Sequence, residues 1–216
     1  MFKKTALAIS ICLTFFSSLL LAWNEEEFNN YGQVYEFRVI PKKYMFSTEF
    51  EIHSKDVPVG RTKKSSFRFR THYDLADRHG WQATGITRML SLGSLFPWAR
   101  EIDIYDTQMN QIGMICGKMI TTAQAKYAIY NKENTLVGTA FLDYEGQGFV
   151  IQHPEMCSRI VAQFVRDFEI NVKDSWNVTV YEPEQIDFRI LRIFAAFAVD
   201  TQTLFDDTEE IECEEF

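Results

Sequence analysis

The sequence lacks the short motifs by which many enzymes are recognised. It has no glycine-rich phosphate-binding loop, no Gly-x-Ser-x-Gly nucleophile elbow and no convincing Cys–His nucleophile pair. It also lacks an excess of positive charge, because 22 Lys and Arg residues stand against 30 Asp and Glu residues, for a net charge of −8. Binding to nucleic acid, which needs a basic surface, is therefore not expected. The sequence favours a protein without enzymatic activity and indicates no cofactor.

Cysteine is also scarce, with four residues in a chain of 216. Removal of an N-terminal export signal would leave Cys116, Cys157 and Cys213. Three cysteines are too few for a disulfide-based scaffold, and a chain of this size builds a core without one. Cys116 and Cys157 either pair in an oxidising compartment or remain two separate buried thiols.

The N-terminal segment, residues 1–22, has the pattern of a signal peptide. Lys3 and Lys4 precede the uncharged stretch Thr5–Ala22, and three glutamates follow directly after Asn24. A basic start, an apolar middle and a polar end are what an export machinery recognises. We expect a periplasmic, secreted or extracellular protein. The alternative is an uncleaved signal-anchor that tethers the protein to a membrane, because 18 apolar residues can just span a bilayer.

The C-terminal end is strongly acidic. From Asp200 to Phe216 there are eight acidic residues and neither lysine nor arginine. A run of like charges repels itself, so residues 202–216 are predicted to form a disordered tail. The tail either keeps the protein soluble or binds a basic protein partner.

The region between these ends, residues 23–201, is predicted to be one mainly β domain. Aromatic residues make up 15% of the chain, and apolar residues alternate with polar ones through most of the region. Short alternating segments separated by turns are typical of an antiparallel sandwich or barrel. About twelve strands are predicted: Val34–Ile40, Thr48–His53, Pro58–Thr62, Ser66–Thr71, Trp81–Met89, Glu101–Asp106, Gln111–Gly117, Lys126–Asn131, Leu136–Leu142, Gly148–Gln152, Arg159–Phe168 and Ser175–Tyr181.

An internal repeat runs through the predicted strands. Ile104–Gly113 aligns without a gap on Ile129–Gly138, 25 residues later, and Ile52–Gly60 is a looser copy that is one residue shorter. Each copy predicts a strand, a polar turn and a returning strand, with Asp or Asn opening the turn in the two closer copies. The glycine early in the returning strand indicates a bulge or a tight bend at a barrel corner.

One segment breaks the β pattern and predicts a helix over about 184–200. Within Ile190–Val199 the only polar residue is Arg192. A helix that is apolar on all sides must be buried on all sides, and ten residues, about 15 Å, are too short to cross a bilayer. We therefore expect a helix threaded through a closed barrel, with Ala195, Ala196 and Phe197 among its packed residues. Arg192 then needs a carboxylate partner or a position near a barrel mouth.

The twelve strands, the reused Ile-Tyr-Asp/Asn hairpin and the closing stretch Ile190–Asp200 together resemble the tubby C-terminal-like superfamily. This group includes tubby proteins, phospholipid scramblases, plant LURP-one-related proteins and small bacterial relatives. The resemblance covers Tyr35 to Asp200. It implies a closed twelve-stranded antiparallel barrel around a central helix, and no shared enzymatic chemistry. It also implies contact with lipid head groups, although the chain has no scramblase-like calcium motif.

Five basic residues within ten positions form the main candidate for a binding site. A cluster of this density is typical of a surface that contacts anionic lipid or a membrane. The alternative explanation is a solvated strand face. The five residues are Arg61, Lys63, Lys64, Arg68 and Arg70.

A second candidate is a group of possible metal ligands between two predicted strands. Histidine and aspartate bind divalent metals, so this group defines an alternative function, a metal-assisted hydrolase. Ordinary solvated loop side chains would give the same pattern. The four residues are His72, Asp74, Asp77 and His79.

Overall fold

A computed structural model describes residues 36–45, 47–65, 70–88, 100–121, 124–143, 148–156, 158–167 and 175–213. These parts of the chain contain twelve strands followed by one helix. The strands are β1 Glu36–Lys43, β2 Ser47–Ser54, β3 Val57–Ser65, β4 His72–Asp77, β5 Gly80–Thr87, β6 Glu101–Asp106, β7 Gln111–Thr121, β8 Gln124–Asn131, β9 Leu136–Asp143, β10 Gly148–Gln152, β11 Ile160–Asp167 and β12 Ser175–Val180. The helix, α1, is Phe188–Cys213.

The twelve strands form a closed antiparallel barrel in which each strand pairs with its neighbours in the chain. The barrel closes where β1 pairs with β12, with Phe37 opposite Val178. Alternate residues of each strand point inward, as Tyr73 and Leu75 do on β4, and both are fully buried. Closure leaves no unpaired sheet edge. The predicted fold class, a closed barrel of about twelve strands around a C-terminal apolar helix, is confirmed.

The helix α1 fills the barrel. Every residue from Ile190 to Thr201 is buried, on all faces of the helix. The Phe197 ring makes edge contacts with Tyr73 and Tyr127, at centroid distances of 6.1 and 5.2 Å. The Phe194 ring contacts Phe149 at 5.8 Å, on another part of the wall. Because strands on different sides contact the same two turns, the helix is enclosed rather than laid against one face.

The helix bounds differ from the prediction at both ends. The helix begins at Phe188 rather than near Glu184, because residues 183–187 form turns that lead into the barrel. It continues to Cys213, so residues 202–213, predicted as a disordered tail, are helical. Neither Pro nor Gly interrupts this part of the chain, and extending an established helix is far easier than starting one. The last three residues lie outside the described residues.

One strand of the structure was not predicted, namely β4, His72–Asp77. The sequence predicted Ser66–Thr71 instead, of which residues 66–69 lie outside the described residues. Both segments alternate with a period of two, and the aromatic residues Phe67 and Phe69 favoured the first of them.

The predicted repeat is confirmed and extends further than the sequence indicated. Five hairpins share one irregularity: a buried aliphatic residue faces a small residue, and the register then shifts by one position. The five pairs are Ile52–Gly60, Leu75–Ala83, Ile104–Gly113, Ile129–Gly138 and Ile151–Ala162. Alanine replaces glycine in two of the five copies. For that reason only three copies of the repeat could be recognised in the sequence.

The residue two positions after each aliphatic residue opens the turn, and in four hairpins its side chain accepts a backbone hydrogen bond. Asp106 Oδ1 accepts hydrogen bonds from the amides of Gln108 and Asn110, at 2.8 and 2.9 Å. Asn131 Oδ1 does the same in the next copy. Asp77 Oδ1 and His153 Nδ1 each accept one amide hydrogen bond in the same way. These turns all lie at the end of the barrel where α1 begins. This end is called the proximal end below, and the opposite end, where α1 leaves the barrel, is called the distal end.

The small residues allow the barrel wall to approach the helix, so Gly113→Ala should destabilise the fold. A Cβ at Gly113 would lie 2.4 Å from Ile190 Cδ1 and 2.6 Å from the Tyr130 carbonyl oxygen. We expect a loss of about 1–3 kcal/mol, which is typical of overpacking, measured by denaturant unfolding. Gly60→Ala is the matched control, because its closest contact would be 3.0 Å. Equal losses for the two variants would contradict this explanation.

Candidate functional site

The described members of the group of five basic residues do not all share one face of the barrel. Arg61 and Lys63 point outward from β3, and each lies 3.8 Å from the Glu49 carboxylate, which partly offsets their charge. Arg70 is exposed just before β4, and Arg68 lies outside the described residues. A role of these bases in binding anionic lipid stays a prediction.

Lys64 points into the barrel, not out of it. It has the same orientation as Gly60 and Thr62, because side chains alternate along a strand. Its Nζ donates hydrogen bonds of 2.7 and 2.8 Å to the two carboxylate oxygens of Asp200 on α1. Only 19% of the Lys64 side chain is exposed. Lys64 therefore ties the helix to the wall and is not available to a membrane.

Asp200 is the centre of a polar cluster at the distal end. The Tyr73 hydroxyl donates a 2.8 Å hydrogen bond to Asp200 Oδ2. Burial and then the charge of Asp200 raise the pKa of Tyr73 well above its usual value, while Arg100 acts in the opposite direction. The hydroxyl therefore stays protonated and remains a donor. Lys64, Tyr73, Arg100 and Asp200 are called the distal cluster below.

Two of the four candidate metal ligands, Asp74 and Asp77, accept hydrogen bonds within the β4–β5 hairpin. His72 and Asp74 lie on β4 rather than in a loop. Asp74 Oδ1 accepts a 2.6 Å hydrogen bond from the Thr84 hydroxyl on β5. Asp77 opens the turn and accepts hydrogen bonds from the His79 amide and the Gln82 side chain. In the described ranges of the chain, no three His, Cys, Asp or Glu side chains come together as metal ligands.

The helix residues singled out from the sequence all line the core. Ala195, Ala196 and Phe197 are buried, as expected for a threaded helix. Arg192 is also buried, and its guanidinium lies over the Phe188 ring, 5.2 Å from the centroid. A cation over an aromatic face is a favourable contact. Phe188 is partly exposed at the proximal end, so Arg192 points toward a barrel mouth, one of its two predicted environments.

Cys116 is present as a half-buried thiol, and Cys157 lies outside the described residues, as does the whole N-terminal segment 1–22.

Exposed apolar side chains are unevenly distributed over the surface and are concentrated at the proximal end. Ten large hydrophobic residues of the described chain are exposed, and seven of them lie in or beside the proximal turns. The seven proximal residues are between 39% and 55% exposed. The other three are Tyr44 and Met45 at the distal end and Val165 on the wall. The seven residues, called the apolar rim below, are Val57, Trp81, Met109, Met156, Ile160, Tyr181 and Phe188.

The charged residues around the apolar rim are mostly acidic. The same proximal turns, together with Arg189, carry eight acids and five bases. The acids are Asp56, Asp77, Asp106, Glu133, Glu155, Glu182, Glu184 and Asp187. An anionic surface would therefore be repelled at this end, while a neutral apolar surface would not.

The sequence predicts neither the distal cluster nor the apolar rim. Lys64 and Asp200 are 136 positions apart, so no local pattern joins them. The inward orientation of Lys64 could have been inferred, since Gly60 was already placed in the repeat. The apolar rim left a weaker signal, namely apolar residues such as Met109 within predicted polar turns.

None of the helical residues that the structure describes forms a stretch long and apolar enough to cross a membrane. The chain matches no protein-family model, and no curated protein is significantly similar to it in sequence.

Proposed function

We propose that the protein is an exported, non-enzymatic binding protein on a tubby-like barrel, and that it contacts the lipid of a bilayer surface through the apolar rim. The observation that carries this proposal is the concentration of exposed apolar side chains at one end of the barrel. Exposed apolar residues gathered at one end of a domain are typical of a site of membrane or protein interaction. The closed twelve-strand barrel around a helix is the architecture that the tubby-like resemblance implies. This architecture supports the tubby-like barrel in the proposal.

Three features favour lipid as the partner. Trp81, Tyr181 and Phe188 are aromatic, and tryptophan and tyrosine are enriched where proteins meet the membrane interface. The helix occupies the barrel interior, so a ligand must contact the outside. The chain also reaches the barrel at the proximal end, where β1 begins at Glu36.

The position of β1 links the apolar rim to the N-terminal segment. Thirteen residues, 23–35, separate Ala22 from β1, and fully extended they span at most about 45 Å. A retained signal-anchor would therefore tether the barrel domain to the bilayer through a linker of at most this length. Cleavage of the signal would leave the apolar rim to bind lipid by itself, more weakly and reversibly.

Trp81 provides a direct test. In the full chain carrying Trp23→Phe and Trp98→Phe, the remaining tryptophans are Trp81 and the buried Trp176, which is 1% exposed. Phosphatidylcholine vesicles with brominated acyl chains should quench Trp81 fluorescence, because bromine quenches only indole groups that reach the acyl region. Phosphatidylserine should not strengthen the binding, and salt should not weaken it, because the proximal end is acidic.

The matched control moves the reporter from the apolar rim to the wall. Val165 is 44% exposed on β11, so Trp81→Phe combined with Val165→Trp places an equally accessible indole away from the rim. This variant should not be quenched, even where an anchor holds the protein on the vesicle. Equal quenching of the two reporters, or none of Trp81, would reject the proposed lipid contact.

A further inference from the structure

The β6–β7 and β8–β9 turns have the same backbone conformation but different residues at the tip. In the first turn the Met109 amide donates a 3.1 Å hydrogen bond to the Asp106 carbonyl oxygen. In the second turn the Asn134 amide donates a 3.0 Å hydrogen bond to the Asn131 carbonyl oxygen. Met109 and Asn134 also have nearly the same φ, 62° and 58°. The two turns therefore compare methionine with asparagine at one position of the repeat.

Methionine is an unfavourable residue at this position. A positive φ brings Cβ close to a carbonyl oxygen, so glycine and asparagine are the preferred residues. The β4–β5 turn has Gly80 at the corresponding position, with a φ of 106°. Four described residues other than glycine have a positive φ, and Met109 is the only apolar residue among them. Strained backbone of this kind clusters at functional sites.

The side chain of Met109 contributes little to the fold. Met109 is 55% exposed, the largest exposed fraction in the apolar rim. The turn is held by Asp106, whose Oδ1 accepts the amide hydrogen bonds of Gln108 and Asn110. The protein therefore keeps a strained methionine at an exposed tip, where a long, flexible and apolar side chain can contact a surface outside the protein.

We propose that Met109 anchors the β6–β7 turn in a bilayer, with its side chain among the upper acyl chains. This inference rests on the lipid contact proposed above and names the residue that the strain singles out for that contact. The β8–β9 turn has Asn134 at its tip and the charged residues Lys132 and Glu133 beside it. That turn stays in the aqueous layer, because acyl chains offer no partners to charged side chains.

Met109→Asn should change stability and lipid binding in opposite directions. Without lipid the full chain should melt about 2 °C higher than wild type, because asparagine relieves the backbone strain. Lipid binding is read from Trp81 in the chain carrying Trp23→Phe and Trp98→Phe. Met109→Asn should need about tenfold more phosphatidylcholine with brominated acyl chains for half-maximal quenching, because an apolar side chain is lost from the contact. Where an anchor holds the chain on the vesicle, the extent of quenching should fall instead.

Two further variants separate the lipid contact from the turn. Met109→Leu keeps both an apolar side chain and the strain, so its lipid requirement should stay within about twofold of wild type, with no rise in melting temperature. Asn134→Gly alters the tip of the β8–β9 turn and should leave the lipid requirement unchanged.

The outcomes distinguish this inference from the proposed function. If Trp81 is quenched equally in wild type and Met109→Asn, or if Asn134→Gly weakens the quenching as much, the role of Met109 is overturned and the lipid contact of the apolar rim stands. A Met109→Asn protein that melts no higher than wild type would overturn the argument from strain. Absence of Trp81 quenching in the wild type would reject the lipid contact itself, and the role of Met109 with it.

Discussion

Replacing Ala196 by arginine is expected to abolish the folded barrel. Ala196 lies in the enclosed part of α1 and is 1% exposed, and the same helix already holds one buried cation, Arg192. An added buried charge that has no partner costs several kcal/mol, comparable with the whole stability of about 5–15 kcal/mol that a domain has. Soluble yield, circular dichroism and thermal melting would show the loss.

The control places the same side chain where the structure has room for it. Thr135 lies in the exposed turn between β8 and β9 and contributes its backbone amide, not its side chain, to the turn. Thr135→Arg should melt within a degree or two of the wild type, since surface substitutions rarely change stability by more than about 0.5 kcal/mol. An Ala196→Arg protein that melts close to wild type would show that the helix is not enclosed.

Asp200→Ala should produce the second large effect. It leaves Lys64 mostly buried without its carboxylate and removes the acceptor of the Tyr73 hydroxyl. Breaking a buried ion pair by removing one partner costs about 3–5 kcal/mol, and the partial exposure of Lys64 places the expected loss at the lower end. Denaturant unfolding measures this loss directly.

A double variant separates the charge from the packing. Lys64→Met with Asp200→Leu removes both charges and fills the space with apolar atoms, so it should be more stable than Asp200→Ala alone. Tyr73→Phe removes the hydrogen bond to Asp200 but keeps the ring and both charges of the ion pair, so it should cost about 1–2 kcal/mol. If the double variant is as unstable as Asp200→Ala, the loss comes from packing and not from the unpaired lysine.

Much of the fold was predictable because its determinants are local. A strand exposes alternate residues to the core, so Phe37 and Val39, or Tyr73 and Leu75, follow a period of two. The aspartate and asparagine that open the repeated turns act through hydrogen bonds to residues two to four positions away. These features can be recognised without knowing what lies across the barrel.

The candidate sites were harder to predict because they depend on orientation and on distant partners. The dense run from Arg61 to Arg70 predicted one basic surface, but strand alternation turns Lys64 inward and leaves Lys63 outside. The run His72–His79 predicted a metal site, but pairing with β5 gives Asp74 and Asp77 hydrogen-bond donors from the hairpin itself. Composition shows which charges are present, and pairing decides what each contacts.

The sequence by itself determined that this chain forms a barrel of hairpins with an apolar helix, because alternation, turn chemistry and the uninterrupted apolar run Ile193–Val199 are local properties. Only the tertiary structure decided that Lys64 and Asp200 meet, and that seven exposed apolar residues gather at one end. Each of these depends on contacts between residues far apart in the chain, and barrel closure, rather than any single segment, brings them together.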